Sequence, residues 1–265
     1  MYVFRRELRA NLKGLLIWCA AAVFMITAGM SKFSGLAAGD QKLNELVAGM
    51  PKAVQVLMGG GGFDLTTALG YFGVIYSYLL LMAAIYAVSL GAGTIAKEER
   101  DKTTEFLMVK PLSRRRVIFE KSLAVLVNTI IYNLCNLFVT IGALNMLDKD
   151  TSIPKRIAVL MLGMFLVQLI FISLGSALAG VYKDAKRTSS IALSILLGTY
   201  FINIAISLTD SIAFLRVLTP FAYFDTANTL NGGGLNGGYA ALSIILFALL
   251  TSVTFISYQK RDLKI

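Results

Sequence analysis

The chain has 265 residues, of which 57% are hydrophobic and 15% are charged, with 25 Lys and Arg against 15 Asp and Glu. Soluble domains carry roughly a quarter charged residues. Here the apolar residues fall in long uninterrupted blocks, which indicates an integral membrane protein. Histidine is absent, which excludes imidazole bases, Ser/His and Cys/His nucleophile pairs, and histidine metal ligands. Cys19 and Cys135 lie inside apolar blocks and are expected to serve as small packing residues.

Six intervals without Asp, Glu, Lys or Arg are each long enough for one crossing, which takes about 20 helical residues. In chain order, the sequence predicts spans near 14–31, 70–96, 122–147, 157–181, 188–208 and 239–258, within one domain that covers residues 1–265. The predicted fold class is therefore an all-α integral membrane protein with six transmembrane helices.

Three segments outside the spans have patterns of their own. Residues 1–13 alternate apolar and basic side chains at helical spacing, which predicts an N-terminal interfacial helix that then turns into the first span. Residues 97–121 hold 13 charges but keep an apolar side. They form either a basic loop that only anchors its neighbours or a short helix that presents one face to a cytosolic partner. Residues 210–230 are too apolar for an exposed loop, which predicts a re-entrant outer segment between spans 5 and 6.

Lys and Arg are distributed unevenly between the two sides of the predicted topology. With the N-terminus inside, the inner segments hold 18 of the 25 basic residues. Because basic residues near short loops are retained in the cytoplasm, both termini are predicted to be cytoplasmic. Topology and anionic lipid head groups account for the basic excess, so membrane lipids are expected partners and nucleic acid is not.

Two stripes of polar residues follow helical spacing inside the third and fifth spans. Such residues either form hydrogen bonds between helices or line a substrate pathway, and the sequence leaves both alternatives open. The third-span stripe comprises Thr129, Asn133, Asn136 and Thr140, and the fifth-span stripe comprises Thr199, Asn203 and Ser207. Small residues in the interval 173–180 predict close helix packing, within the subunit or against a second copy.

Several classes of active site have no counterpart in the sequence. The predicted spans contain no Asp, Glu, Lys or Arg, whereas ion-coupled transporters usually carry such a residue near the middle of the bilayer. The same absence disfavours an intramembrane hydrolase. The phosphate-binding pattern G-x-x-x-x-G-K-[ST] is missing, so neither a nucleotide nor a metal cofactor is expected on this chain. If the protein moves a substrate uphill, the energy must come from another subunit.

The inner segment 97–121 resembles the pattern E-R-x-G-T-x-E-x-L…P-[VIL]-S-R…K, which is found between the second and third spans in permease subunits of ABC-2 type transporters. The departure is Lys102, which stands where that family usually has Gly. The matching positions are Glu99, Arg100, Thr103, Glu105, Leu107, Pro111, Ser113, Arg114 and Lys121.

The resemblance implies that this segment contains a cytoplasmic coupling helix, which docks on a separate ABC ATP-binding subunit carrying ATP and Mg²⁺. It also implies a second permease copy, identical or not, an export pathway between the copies, and a bacterial or archaeal plasma membrane. This chain would then not be an enzyme. The inner loop 182–187 would make a smaller second contact. The residues to which the resemblance assigns coupling are Glu99, Arg100, Thr103, Glu105, Phe106, Leu107, Pro111, Ser113, Arg114, Lys183 and Asp184.

Two other functions remain as alternatives. The first is a secondary carrier or channel that works without a nucleotide, and gradient-driven transport by the purified chain in liposomes would support it. The second is a membrane assembly or docking protein without transport activity. Failure of a cargo to stimulate ATP hydrolysis in the reconstituted complex would favour this second alternative.

Overall fold

The computed structural model describes residues 2–37, 47, 49–57, 63–97, 113–182 and 184–260, and these ranges contain helices and no β-strand. Two 3₁₀ helices, Asp210–Leu218 and Pro220–Ala222, precede the short helix α7. The α-helices are α1 (Tyr2–Ala37), α2 (Lys52–Leu57), α3 (Ala68–Ile95), α4 (Arg114–Asn145), α5 (Ile153–Val181), α6 (Ala185–Leu208), α7 (Thr226–Leu230) and α8 (Gly237–Lys260).

Within the described ranges, the six helices α1, α3, α4, α5, α6 and α8 are long and apolar enough to cross a membrane. They overlap the six predicted spans in order, and the all-α six-span fold class is confirmed. The least buried of them, α1, α6 and α8, turn large apolar side chains outward. Phe24, Phe201 and Leu249 are 72%, 64% and 59% exposed. This much outward apolar surface suits lipid as the surrounding solvent.

Helices α3 and α5 form the centre of the bundle, and α5 packs chiefly against α3 and α8. The backbones of α3 and α5 nearly touch where they cross. A Cβ atom at Gly175 would overlap the carbonyl oxygen of Val88, and one at Gly91 would overlap that of Ile172. Small residues stabilise helix pairs in lipid because they let two backbones approach closely. The close packing predicted for residues 173–180 is therefore confirmed, and it occurs within the subunit.

The structure differs from the prediction at the N-terminus. Residues 2–37 form one uninterrupted helix instead of an interfacial helix followed by a turn. At 1.5 Å per residue, α1 is about 54 Å long, well beyond the roughly 30 Å of a bilayer core. Two contacts hold its first turns against the bundle, because Val3 packs on Val117 and Glu7 pairs with Lys97.

The segment between α6 and α8 folds over the ends of neighbouring helices. Its 3₁₀ helices pack on α6, and α7 packs on α3 and α5. Phe221 and Leu230 are buried, and the Tyr223 ring stacks on Tyr239 of α8 with centroids 4.8 Å apart. Packing within the protein thus explains part of the apolar composition of residues 210–230, and the depth of the segment in the bilayer stays a prediction.

Candidate functional site

The start of α1, the end of α3 and the start of α4 meet at one end of the bundle. The backbone N–H of Phe4 donates a hydrogen bond to Glu120 Oε2 at 3.1 Å. Lys121 Nζ donates to the carbonyl oxygen of Thr94 at 2.7 Å. These are the helix ends that the distribution of basic residues assigns to the cytoplasm, so the packing and the charge pattern agree on which ends share a side.

A small apolar cluster adds α5 and α8 to the same end. Four helices contribute to it, so that their ends are packed against one another. On its rim, Arg115 Nε donates to Gln259 Oε1 at 3.0 Å. The buried members of the cluster are Ile95, Ala96, Ile118, Ala179 and Tyr258.

Charged side chains surround these helix ends, and the Glu7 carboxylate lies at their centre. Its Oε1 lies 2.8 Å from Arg6 Nη2, and its Oε2 lies 3.2 Å from Lys97 Nζ. A buried charge is costly unless it is paired and hydrogen-bonded, so the pairing with Lys97 holds the start of α1 against the end of α3. We call the group the inner charge cluster, and it comprises Arg6, Glu7, Lys97, Arg116, Glu120 and Lys121.

The inner charge cluster lies on the helices that flank the segment 98–112. Lys97 immediately precedes that segment, and Ser113 follows it as the N-cap of α4, where its Oγ accepts a hydrogen bond from the first turn at 3.3 Å. Lys121 is fully buried and reaches back to the Thr94 carbonyl at the end of α3, where a cation also complements the helix dipole. The helix ends that flank the segment are therefore linked to α1, α3 and α4.

Three of the predicted coupling residues lie among the described residues. Ser113 caps α4, Arg114 Nη1 donates to the Gln259 carbonyl at 3.3 Å, and Asp184 forms an ion pair with Arg187 at 3.5 Å. Their role in coupling stays a prediction. The other predicted coupling residues lie outside the described residues: Glu99, Arg100, Thr103, Glu105, Phe106, Leu107, Pro111 and Lys183.

Sequence reasoning missed Glu7, Lys97 and Glu120 as members of a site. A signal was present, because Glu7 is the one acidic residue in the basic stretch 1–13 and Glu120 is followed directly by Lys121. An isolated carboxylate among cations is a candidate for a specific ion pair. Only the packing of α1 against α3 and α4 shows which cations it meets.

The stripe predicted in α4 is buried inside the subunit. Asn133 Nδ2 donates to Gln168 Oε1 on α5, and Gln168 Nε2 donates to the carbonyl oxygen of Ala83 on α3 at 3.2 Å. These bonds join three helices, as the interhelical alternative requires. The exposed fractions are 0% for Thr129, 8% for Asn133, 1% for Asn136 and 0% for Thr140.

Some oxygens of this stripe nevertheless have no hydrogen-bond partner within the described part of the chain. They are Asn133 Oδ1, Asn136 Oδ1 and Thr140 Oγ1. Leaving a buried acceptor unpaired costs about 1–3 kcal/mol, so the protein keeps these groups at some expense in stability. The stripe provides unpaired acceptors as well as interhelical bonds, and the pathway alternative stays a prediction.

The stripe predicted in α6 lies in another part of the bundle, because α6 packs on α3 and α5, whereas α4 packs on α1, α3 and α5. Thr199 Oγ1 donates to the carbonyl of Leu196 in its own helix, at 2.7 Å. Asn203 and Ser207 line a cavity of about 440 Å³ between α3, α6 and the segment 210–230. We call this cavity the outer pocket, since the predicted topology places it on the outer side.

The arrangement defines a class of protein: a multi-pass all-α membrane protein with a charged segment between its second and third spans. The sequence matches the family described as "ABC-2 family transporter protein" over residues 1–263. The chain therefore belongs to the ABC-2 transporter family and is a membrane-spanning permease component of an ABC transporter. This confirms the resemblance seen in the segment 97–121. A comparison with curated proteins found no significant match.

Proposed function

We propose that the chain is the permease subunit of an ATP-driven exporter, and that it is coupled to a separate ATP-binding subunit through the segment 97–121. ATP and Mg²⁺ would bind that partner. Two permeases, identical or not, would assemble with two ATP-binding subunits in a bacterial or archaeal plasma membrane, with both permease termini in the cytoplasm. The pathway would then open alternately to the two sides.

The observation that supports this proposal is the set of ion pairs and hydrogen bonds that hold the helix ends on either side of the segment 98–112. Here Lys97 is paired with Glu7 at 3.2 Å, and Lys121 is bonded to Thr94 at 2.7 Å. A load applied by a partner would therefore be transmitted to the helices as rigid bodies rather than dissipated in a linker.

The composition of the segment fits a docking role. Its charged residues Glu99, Arg100 and Glu105 can orient a partner, while Phe106 and Leu107 supply apolar area for a desolvated contact. The second inner loop would add Lys183 and Asp184. An interface with a polar rim and a few apolar anchors is typical of specific association between proteins.

The proposal is tested with the double variant Glu105→Ala/Arg114→Ala in the full chain, which is co-expressed with the ATP-binding subunit and purified in a mild detergent. We expect recovery of the ATP-binding subunit to fall several-fold, while the thermal unfolding midpoint of the permease stays within about 2 °C. The control is Lys149→Ala, an exposed site in the loop after α4, at the opposite end of the bundle.

Two outcomes would contradict the proposal. One is undiminished recovery of the ATP-binding subunit with the double variant. The other is gradient-driven transport by the purified permease alone in liposomes, which would favour the secondary carrier. Nucleotide-dependent transport that requires both subunits is the expected result.

A further inference from the structure

The outer pocket carries two charges of opposite sign that do not pair with each other. Arg216 and Asp225 both line it. The Arg216 side chain makes no hydrogen bond or ion pair with any described residue. Asp225 Oδ1 caps α7 by accepting a hydrogen bond from the N–H of Asn228 at 3.0 Å. The second carboxylate oxygen of Asp225 does not take part in this cap. A cation and an anion separated across one cavity are complementary to a ligand that carries both charges.

Aromatic rings and polar side chains line part of the remaining wall, together with aliphatic side chains. The rings of Tyr200 and Phe221 meet edge to face, with centroids 5.3 Å apart, and Phe221 is supported by Phe171 at the same centroid distance. Tyr200 and Phe221 both line the pocket, as do Asn203 and Ser207. Aromatic faces attract ammonium groups, and the amide and hydroxyl can hydrogen-bond to phosphate or ester oxygens. These features suit a head group with an ammonium and a phosphate.

The surroundings of Arg216 indicate a ligand that is partly in lipid. Its neighbours in the 3₁₀ helix, Phe214, Val217 and Leu218, are 75%, 54% and 62% exposed. An arginine amid outward apolar side chains is typical of the membrane interface, where the stem lies in lipid and the guanidinium reaches polar head groups. A ligand of the outer pocket would then keep its chains in the bilayer and its head group in the cavity.

We propose that the outer pocket binds the zwitterionic head group of a phospholipid-type amphiphile. The phosphate lies at Arg216, and the ammonium lies between Asp225 and the aromatic wall formed by Tyr200 and Phe221. The proposal goes beyond the coupling function, because it assigns a ligand class to a site at the opposite end of the bundle. The lipid-binding proposal needs no ATP-binding partner. Either proposal can therefore fail while the other stands.

The test is native mass spectrometry of the full chain in detergent, with phosphatidylethanolamine or phosphatidylglycerol of the same acyl chains as probes. The wild-type protein is expected to prefer phosphatidylethanolamine, because only that lipid carries the ammonium. R216Q should weaken the binding of both lipids by at least about tenfold. D225N should keep phosphatidylglycerol binding and lose the preference, and Asn at this position still caps α7. The control Lys149→Gln, outside the pocket, should bind as the wild type does.

Three results would overturn the proposal. They are equal binding of the two lipids by the wild type, an undiminished preference in D225N, and wild-type affinity of R216Q for both lipids. Soluble O-phosphoethanolamine serves as a competitor, which distinguishes recognition of a free head group from recognition of the whole lipid. If it displaces the lipid as effectively, mole for mole, as phosphatidylethanolamine does, the pocket recognises a free zwitterion and the amphiphile assignment is wrong.

Discussion

Glu7→Gln removes the charge at the centre of the inner charge cluster while keeping the size and shape of the side chain. The Glu7 side chain is 0% exposed and lies within 2.8 Å of Arg6 and 3.2 Å of Lys97. Because α1 contributes Glu7 and the end of α3 leads into Lys97, the variant weakens the ionic link between these two elements. It therefore measures how strongly the first helix is held to the segment proposed for coupling.

The expected loss follows from the burial of the three groups. Neutralising one partner of a fully buried ion pair costs about 3–5 kcal/mol, because the other charge is left uncompensated. The side chains of Lys97 and Arg6 keep 23% and 35% exposure, so water compensates part of that loss. We expect Glu7→Gln to lower the free energy of unfolding by about 2–3 kcal/mol.

A matched control is the exposed ion pair of Asp184 with Arg187, whose side chains are 54% and 81% exposed. Asp184→Asn should cost less than about 1 kcal/mol. The free energy of unfolding is measured by titrating the purified protein in mixed micelles with sodium dodecyl sulfate. Lys97→Met, alone and with Glu7→Gln, completes a double-mutant cycle with an expected coupling of about 1.5–3 kcal/mol. A loss for Glu7→Gln no larger than that for Asp184→Asn would refute the reasoning.

Three further predictions test other parts of the fold. Gly175→Val should lower the thermal unfolding midpoint by about 10 °C or prevent folding, because its side chain would overlap the α3 backbone. Fluorescence-detected size exclusion would show the loss. The control Gly198→Val should keep the midpoint within about 2 °C, because a Cβ there meets no atom of another element within 4 Å. Ser113→Ala should lower the free energy of unfolding by about 1 kcal/mol and Ser113→Asn by much less, because only Asn can still cap α4. Equal losses for the two variants would show that the capping hydrogen bond does not stabilise the protein. Cys19 and Cys135 are free thiols on α1 and α4, which pack against each other, so oxidation with copper phenanthroline should join them in a disulfide that peptide mass spectrometry detects. Recovery of only unlinked peptides would contradict this placement of the two thiols.

The number, order and approximate limits of the spans could be predicted from residue types alone. Lipid excludes charged side chains and unpaired backbone groups, so each crossing must be an apolar helix of a set length. The charge pattern also predicted which helix ends share a side, and the structure groups the same ends. The turn predicted after residue 13 was wrong, because residues 2–37 form one continuous helix. Local amphipathicity does not show whether a helix bends or continues into the next element.

The packing partners could not be predicted in this way. Asn133 was recognised as polar and as part of a stripe, but its hydrogen bond to Gln168 depends on where α5 lies against α4. Asn203 was grouped with Thr199 on one helical face, yet only Asn203 lines the outer pocket. Helical spacing indicates which side chains share a face, whereas it does not indicate what lies opposite that face.

By itself, the sequence determined that this protein is a six-span membrane protein with its basic excess on one side of the predicted topology and a family-specific charged segment after the second span. These properties depend on the free energy of transferring side chains and backbone into lipid, which is nearly additive along the chain. Only the tertiary structure decided that Glu7 meets Lys97 and that Arg216 faces the same cavity as Asp225. Such pairings depend on distances of a few ångströms between residues far apart in sequence, and those distances are set by how the helices pack together.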